Sequence, residues 1–310
     1  MPIKSAALTD MQDLTGYLAR LCEILEIVIV DGSDEPVFQA HASAWSRLAL
    51  HIAPHPSIRG LNGKVRGVLS GLRCISTEKV IIADDDVRYD QASLSAVIDA
   101  LHCCDVVRPQ NYFAPHVWHT LLDSGRTLLN RVSGGDWPGT LGVRRNAIVN
   151  GYNADVLFEN FQLIETVKAR GGREHIAYDI FVARKPPSTG HFFSQRIRQA
   201  YDEFARPVRL CVSLAIVPLF LAALFTGRTR PALGLALACI ATAEAGRQRA
   251  NATRHFPLLA SFVAPLWVLE RGICVWIALG LRVFRGGVPY AGSVIRDAAA
   301  PVRKGKGEAA

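Results

Sequence analysis

Glu78–Asp90 reads EKVIIADDDVRYD, an apolar run of strand length that ends on three consecutive carboxylates, Asp84, Asp85 and Asp86. Three acids at the end of a buried strand repel one another unless something compensates them. Mg²⁺ or Mn²⁺ does so when it binds through one or two carboxylates plus the phosphates of a substrate. In strand geometry Asp84 and Asp86 point to one side and Asp85 to the other, which makes Asp84 and Asp86 the expected metal ligands. The alternative is a solvated turn that is rich in Asp because turns are.

The flanking sequence sets this strand in an α/β fold. Residues 10–25, DMQDLTGYLARLCEIL, place Leu14, Leu18, Leu21 and Leu25 at helical spacing. They lead into EIVIVDGSD, a strand closed by Asp31, Gly32, Ser33 and Asp34. A strand that stops on Asp-Gly-Ser suits a parallel sheet whose carboxyl edge carries a ligand. A helix with Phe38, Trp45 and Leu48, a short strand at LALHIAP, and a loop-to-helix segment NGKVRGVLSGLRCIS precede the acidic strand. After it come the amphipathic DQASLSAVIDALHCC, the strand-like DVVRPQN, the strand and turn GTLGVRRNAIVNGY, and the helix FENFQLIETVKARGG. This alternation predicts a mostly parallel sheet flanked by helices. Asp31 with Ser33 is then a second polar strand end on the same edge, and Lys64 in Asn62–Lys64 is placed to pair a phosphate.

The 310 residues are 50% hydrophobic with a mean hydropathy of +0.18, and the apolar excess lies in residues 207–284. Residues 1–206 read as the globular domain, 207–284 as membrane helices, and 285–310 as a basic tail containing Arg303, Lys304 and Lys306. Residues 207–226 carry Arg209 as their only charge and are long enough to span a bilayer core of roughly 30 Å. Residues 231–246 form a shorter segment, and 257–284 is interrupted by Glu270 and Arg271, so it is a span with a protein-facing ion pair or an interfacial helix. Net charge is +8, with the cations crowding the flanks of the apolar segments. That favours an anionic membrane surface over nucleic acid, for which there is no basic stripe interleaved with aromatics. Arg228 and Arg230, in the loop after the first span, run against the excess of cations expected on the cytoplasmic side. The seven cysteines have no metal-type spacing, and the N-terminus has no export pattern, so reduced thiols in a cytoplasmic domain at the cell membrane are expected.

In order, EIVIVDGS, NGKVRGVLSGL, VIIADDDVRYD, GTLGVRR, FENFQL and SQRIRQAY resemble the family-2 glycosyltransferases of the GT-A fold, within them the membrane-bound ceramide-glucosyltransferase-like and hopanoid-type branch. The resemblance implies a metal-dependent, inverting transfer of a sugar from a nucleotide diphosphate sugar to a lipid hydroxyl. It places Asp31 at the base or ribose of the donor, and Lys64, Asp84, Asp85, Gln195 and Arg198 around the diphosphate. It places Trp137, Gly139 and Thr140 near the sugar and acceptor. Two positions depart from the pattern. Asn160 stands where the family has its aspartate base, and an amide takes no proton at neutral pH, which leaves neighbouring Glu159 as the candidate and Asp155 as a poorer one. Gln199 stands where the family has tryptophan. Both departures also fit a catalytically impaired protein that still binds the nucleotide sugar. The N-terminal PIKSAAL lacks the apolar run of the family's first strand. His191 is a candidate diphosphate contact or a surface residue. His116 and His119 lack a third zinc ligand, and Arg126 and Arg131 bind phosphate or solvate a helix.

Overall fold

The computed structural model describes residues 1–5 and 11–302. Asp10, at the start of the first expected helix, and Arg303, Lys304 and Lys306 of the expected tail lie outside the described residues. The chain opens with β1 (Pro2–Ile3), α1 (Met11–Leu21), β2 (Val28–Asp31), α2 (Glu35–Trp45) and β3 (Leu50–Ile52). The three strands are parallel in the order β1-β2-β3. A strand at Pro2–Ile3 corrects the expectation drawn from PIKSAAL. Pairing defines it, because the amides of Val30 and Gly32 donate to the carbonyls of Met1 and Ile3 at 3.0 and 2.9 Å.

Next come α3 (Gly63–Leu72), β4 (Lys79–Ala83), β5 (Val87–Arg88), α4 (Gln91–Ala100), β6 (Val106–Phe113), α5 (Thr120–Val132), β7 (Thr140–Arg144), α6 (Arg145–Ile148), α7 (Glu159–Ala169) and β8 (Glu174–Arg184). They build a five-stranded sheet in the order β4-β7-β6-β8-β5. The α/β architecture with flanking helices is as expected, but strand direction is more mixed than the sequence suggested. β4, β6 and β8 share one direction, while β7 and β5 run against them. The Asp84–Asp86 turn reverses the chain into β5. α5 does not carry the chain back along the sheet, so β7 re-enters from the edge that β6 left.

Helices cover both faces. α4 contributes Leu94 and Val97 to a core with Val107, Ala177 and Val182, and α3 and α7 contribute Val68, Leu72, Leu163 and Val167 to a core with Val106, Leu141 and Val143 on the other face. Each such aliphatic side chain contributes roughly 1.5–3 kcal/mol by leaving water.

The remainder is helical: α8 (Thr189–Ser194), α9 (Arg196–Tyr201), a 3₁₀ turn at Asp202–Ala205, α10 (Pro207–Phe225), α11 (Thr229–Gln248) and α12 (Leu258–Arg285). α10 and α12 are long and apolar enough to cross a membrane. α10 leaves Val208, Val212, Leu219, Leu224 and Phe225 exposed. Midway along α12, Glu270 pairs with Arg196 at 2.6 Å and Arg271 is buried, so both charges face protein. α5 packs on α11 and α12 through Leu128, Ala243, Phe256, Ala260 and Ala264. The 285–310 segment is not a featureless tail. β9 (Val288–Tyr290) and β10 (Ser293–Ile295) form an antiparallel hairpin, turned by Ala291 and Gly292 with positive φ of 48° and 86°. That turn matches the two-residue hairpin geometry in which both central residues take positive φ.

Candidate functional site

Asn62 caps α3 by accepting from the amides of Lys64 and Val65 at 3.0 and 3.3 Å. The cap holds Lys64 at the first turn, from which its ammonium reaches Asp84 Oδ1 at 2.6 Å and Glu159 Oε1 at 2.8 Å. Glu159 is itself the first residue of α7. Burial opposes the charge on Lys64, but the fields of Asp84 and then Glu159 outweigh it and hold the ammonium protonated far above the usual lysine range. Three elements distant in sequence therefore meet at one charged bridge.

Arg184 supplies the second compensation for the acidic turn. Its Nε donates to Asp86 Oδ2 at 2.6 Å, and its Nη2 lies 3.8 Å from Asp84 Oδ2. Asp84 and Asp86 thus face a common cation, while Asp85 is exposed. The backbone holds Asp84 from the other side, its amide donating to the Gly139 carbonyl at 2.9 Å. A Cβ at Gly139 would stand 2.7 Å from Asp84 Oδ2, so only glycine lets β7 approach this carboxylate.

The bridge lies in a polar cleft of about 240 Å³ that takes in Asp84, Trp137, Gly139, Glu159, Arg184, Gln195 and Arg198. Lys64 and Tyr290 also line a neighbouring pocket of about 480 Å³, which holds Asp31 and Ser33. The two spaces share these two residues as a common wall. Asp31 itself is buried. Its Oδ1 accepts from the Ser33 amide at 2.9 Å, and its Oδ2 accepts from His41 Nδ1 at 2.7 Å and His51 Nε2 at 3.0 Å. Burial raises its pKa, but these hydrogen bonds more than offset that and hold it below the usual carboxylate value. Ser33 and the two histidines thus take up most of its acceptor capacity. Among the described residues Asp31, His41 and His51 are the one group of three or more His, Cys, Asp or Glu side chains whose ligand atoms lie close enough to share a metal ion. The contacts within it are hydrogen bonds that fix Asp31 at the pocket wall.

Other expected residues lie elsewhere. Thr140 does not line the cleft: it is buried in β7, with its hydroxyl donating to the Ile82 carbonyl at 2.7 Å and 2.9 Å from Tyr89 Oη. Asp155 accepts from the Leu61 amide at 3.0 Å outside the cleft, which removes it as a base. Asn160 lines the cleft and donates to the Pro138 carbonyl at 2.7 Å. His119 is held by the Pro187 carbonyl at 2.9 Å, and exposed His191 contacts Gln195. Arg131 is structural, donating to the carbonyls of Gly246, Tyr178 and Arg249 at the end of α11. Arg126 does line the cleft and pairs with Asp136 at 3.1 Å.

Tyr290 and Asp202 are among the cleft residues that escaped the sequence reading. Tyr290 comes from the hairpin, and the alternating VPYAGSVI around an Ala-Gly turn was its signal. Asp202 follows the SQRIRQAY motif directly. Burial, and then the field of Glu159, push its carboxyl up from 3.8 to about 8 against the opposing fields of Arg271, Arg206 and Arg198. Since the folded form binds this proton more tightly than the unfolded chain, the stability it contributes is complete below pH 4 and is lost as pH rises through about 8. Asp202→Asn is therefore expected to match the wild-type Tm near pH 4 and exceed it at pH 8.5. Thermal unfolding at the two pH values checks this, and an equal gain at both would mean that the carboxyl does not titrate in this window.

No family model matches the chain, and no curated protein matches it. Solved structures align with it at low similarity. A mannosyltransferase from Pyrobaculum calidifontis, solved with GDP-Man and Mn²⁺, is 18% identical over 89% of this chain and 85% of its own, with a TM-score of 0.49. Glucosyl-3-phosphoglycerate synthase from Mycobacterium tuberculosis, solved with Mn²⁺, UDP and glucosyl-3-phosphoglycerate, is 17% identical over 64% of this chain and 75% of its own, with a TM-score of 0.43. Mannosyl-3-phosphoglycerate synthase from Rubrobacter xylanophilus is 13% identical over 64% and 69%, with a TM-score of 0.44. Likeness at this level says nothing of the reaction, and the chemistry of the cleft is read from its own side chains.

Proposed function

We propose that the protein is a metal-dependent, inverting glycosyltransferase on a GT-A-type sheet, moving a sugar from a nucleoside diphosphate sugar to a lipid hydroxyl at the cytoplasmic face of the cell membrane. The observation that carries this reading is the Lys64 bridge between Asp84 and Glu159, set in a cleft that shares Lys64 and Tyr290 as a wall with the pocket of Asp31 and Ser33. The pocket suits the nucleoside, with Ser33 and Asp31 Oδ1 as its polar wall. The cleft suits the diphosphate and sugar, with Lys64, Gln195 and Arg198 facing the phosphates and Trp137 and Gly139 bordering the acceptor.

The acidic turn fits Mg²⁺ or Mn²⁺. Asp86 Oδ1 is buried without a partner, and Asp84 and Asp86 already share a cation in Arg184. When bound, the ion neutralises charge on the donor diphosphate. Lys64 offsets the charge that builds on the leaving diphosphate as the sugar C1–O bond breaks and the bond from C1 to the acceptor oxygen forms. The acceptor's proton goes to Glu159, since Asn160 is an amide and Asp155 lies outside the cleft. One base and direct attack give inversion. The exposed apolar surface of α10 supports a membrane setting, and all seven cysteines are free thiols, as a reducing compartment favours.

The test is release of nucleoside diphosphate by the full chain in lipid nanodiscs with Mn²⁺ or Mg²⁺, candidate donors and lipid acceptors. Asp84→Asn is expected to lower turnover by about 10²-fold or more, the loss typical of a charge-stabilising group. No release with any donor, or full activity in Asp84→Asn, would overturn the reading. Asn160 together with a Glu159 already paired to Lys64 favours a second reading, a binding protein without turnover. Glu159→Gln separates the two: loss of transfer supports the base, and unchanged transfer removes it.

A further inference from the structure

The cleft has a second end, away from the acidic turn, where α5, the Asp202–Ala205 turn and α12 meet. Arg271 is buried to 3% exposure in the middle of α12, and neither its Nε nor its Nη1 has a hydrogen-bond partner. Arg206 Nε, Arg126 Nε and Trp267 Nε1 line the same end and are likewise buried and unpartnered. Every unpartnered buried polar atom of the residues lining this cleft is a donor. Leaving such donors unmet costs about 1–3 kcal/mol each, more for charged groups, so the arrangement is built for a ligand that accepts hydrogen bonds and offers none.

Charge points the same way. The cleft is lined by seven cationic side chains and five carboxylates, an excess of two. On the donor side, Lys64 and Arg184 already serve Asp84 and Asp86, and a divalent ion would balance the donor diphosphate. At the arginine end Asp123 and Asp136 pair Arg126 and Glu203 pairs Arg206, so Arg271 is the cation left for a ligand. Fork-shaped guanidinium groups with free N–H edges match the tetrahedral oxygens of a phosphate. Arg206 and Trp267 also line the adjoining groove beside Leu129 and Gly134, so the site borders a groove at the end of α5 to which α12, one of the two membrane-length helices, contributes Trp267. A buried arginine at the middle of such a helix marks a ligand path.

We propose that Arg126, Arg206, Arg271 and Trp267 form a phosphate-binding site for the acceptor, which is therefore an anionic, phosphate-bearing molecule with its chain or tail lying in the groove beside Trp267. This rests on the sugar-transfer reading of the cleft, but its test does not need turnover. The full chain in neutral nanodiscs is titrated with a long-chain alkyl phosphate, with a phosphodiester lipid, with diacylglycerol and with inorganic phosphate, following tryptophan fluorescence. Nucleotide-sugar binding is measured alongside. Saturable binding of a phosphate lipid, at least tenfold tighter than diacylglycerol, is expected. Arg271→Gln is expected to weaken it at least tenfold while nucleotide-sugar affinity stays within twofold. Arg206→Gln, at a less buried position, gives the same readout if Arg271→Gln does not fold.

Tighter binding of the alkyl phosphate than of the phosphodiester assigns a terminal phosphate, and the reverse order assigns a headgroup. Inorganic phosphate binding as tightly as either lipid would leave a phosphate site and overturn the lipid acceptor. Diacylglycerol binding equally well, or parallel loss of donor and acceptor binding in both variants, would overturn the site. Absence of sugar transfer with these binding results intact counts against the enzyme reading alone.

Discussion

Replacing Lys64 by methionine is expected to abolish measurable sugar transfer, by about 10³-fold or more, and to destabilise the protein. The ammonium holds two carboxylates from different elements at 2.6 and 2.8 Å, both of them only about one-fifth exposed. Methionine keeps the length and removes the charge. Asp84 and Glu159 are then left facing each other without their shared cation, and removing one partner of such a charge cluster costs more than the interaction itself contributes. Catalysis fails for a separate reason, since nothing then offsets the charge on the leaving diphosphate. Circular-dichroism melts, together with nucleoside diphosphate release, check both parts. An unchanged melting temperature would mean that the bridge does not hold the two elements together, and retained transfer would remove Lys64 from the reaction. Lys64→Arg is the informative companion, because it restores the charge with a longer, planar group and is expected to recover stability before activity.

The part of this site legible in sequence was the part written in local pattern. An apolar run ending in acids located β4 and its turn, and alternation of strand and helix located the sheet. Strand direction was less legible: β7 runs against β4 and β6, and its pairing with β4 joins residues about 60 apart, which no local window contains. The cations that settle the acidic turn were only half visible. Lys64 stood out beside Asn62, whereas Arg184 lies nearly 100 residues from Asp86 at the end of an edge-paired strand, and nothing in its neighbours marks it. Asp202 and Tyr290 were missed because their roles depend on what buries them. Thr140 failed in the opposite direction: the motif placed it at the acceptor, but strand alternation turns it into the sheet while Gly139 borders the cleft.

A second substitution separates local preference from docking. Gly246→Ala is expected to destabilise the protein by roughly 3 kcal/mol, the upper range for forcing extra volume into a packed contact. In an isolated helix the same change would stabilise by about 1 kcal/mol, because glycine carries the larger entropy loss. The sign reverses because a Cβ on Gly246 would run into the carbonyl oxygen of Leu128 in α5, which is backbone and cannot rotate away. The same crossing carries Arg131, whose guanidinium donates to the carbonyls of Gly246 and Arg249 at 2.9 and 2.6 Å. Displacing α11 would therefore also uncover buried guanidinium N–H groups and unmeet the last carbonyls of the helix. Gly234→Ala, on the same helix with open space around it, is the control and is expected to be neutral or mildly stabilising. Thermal unfolding in one detergent compares the pair. If both glycines respond alike, α11 is not held against α5 by this crossing. If only Gly246→Ala unfolds early, the helices beyond residue 206 are a wall of the folded domain, and the arginine end of the cleft depends on their docking.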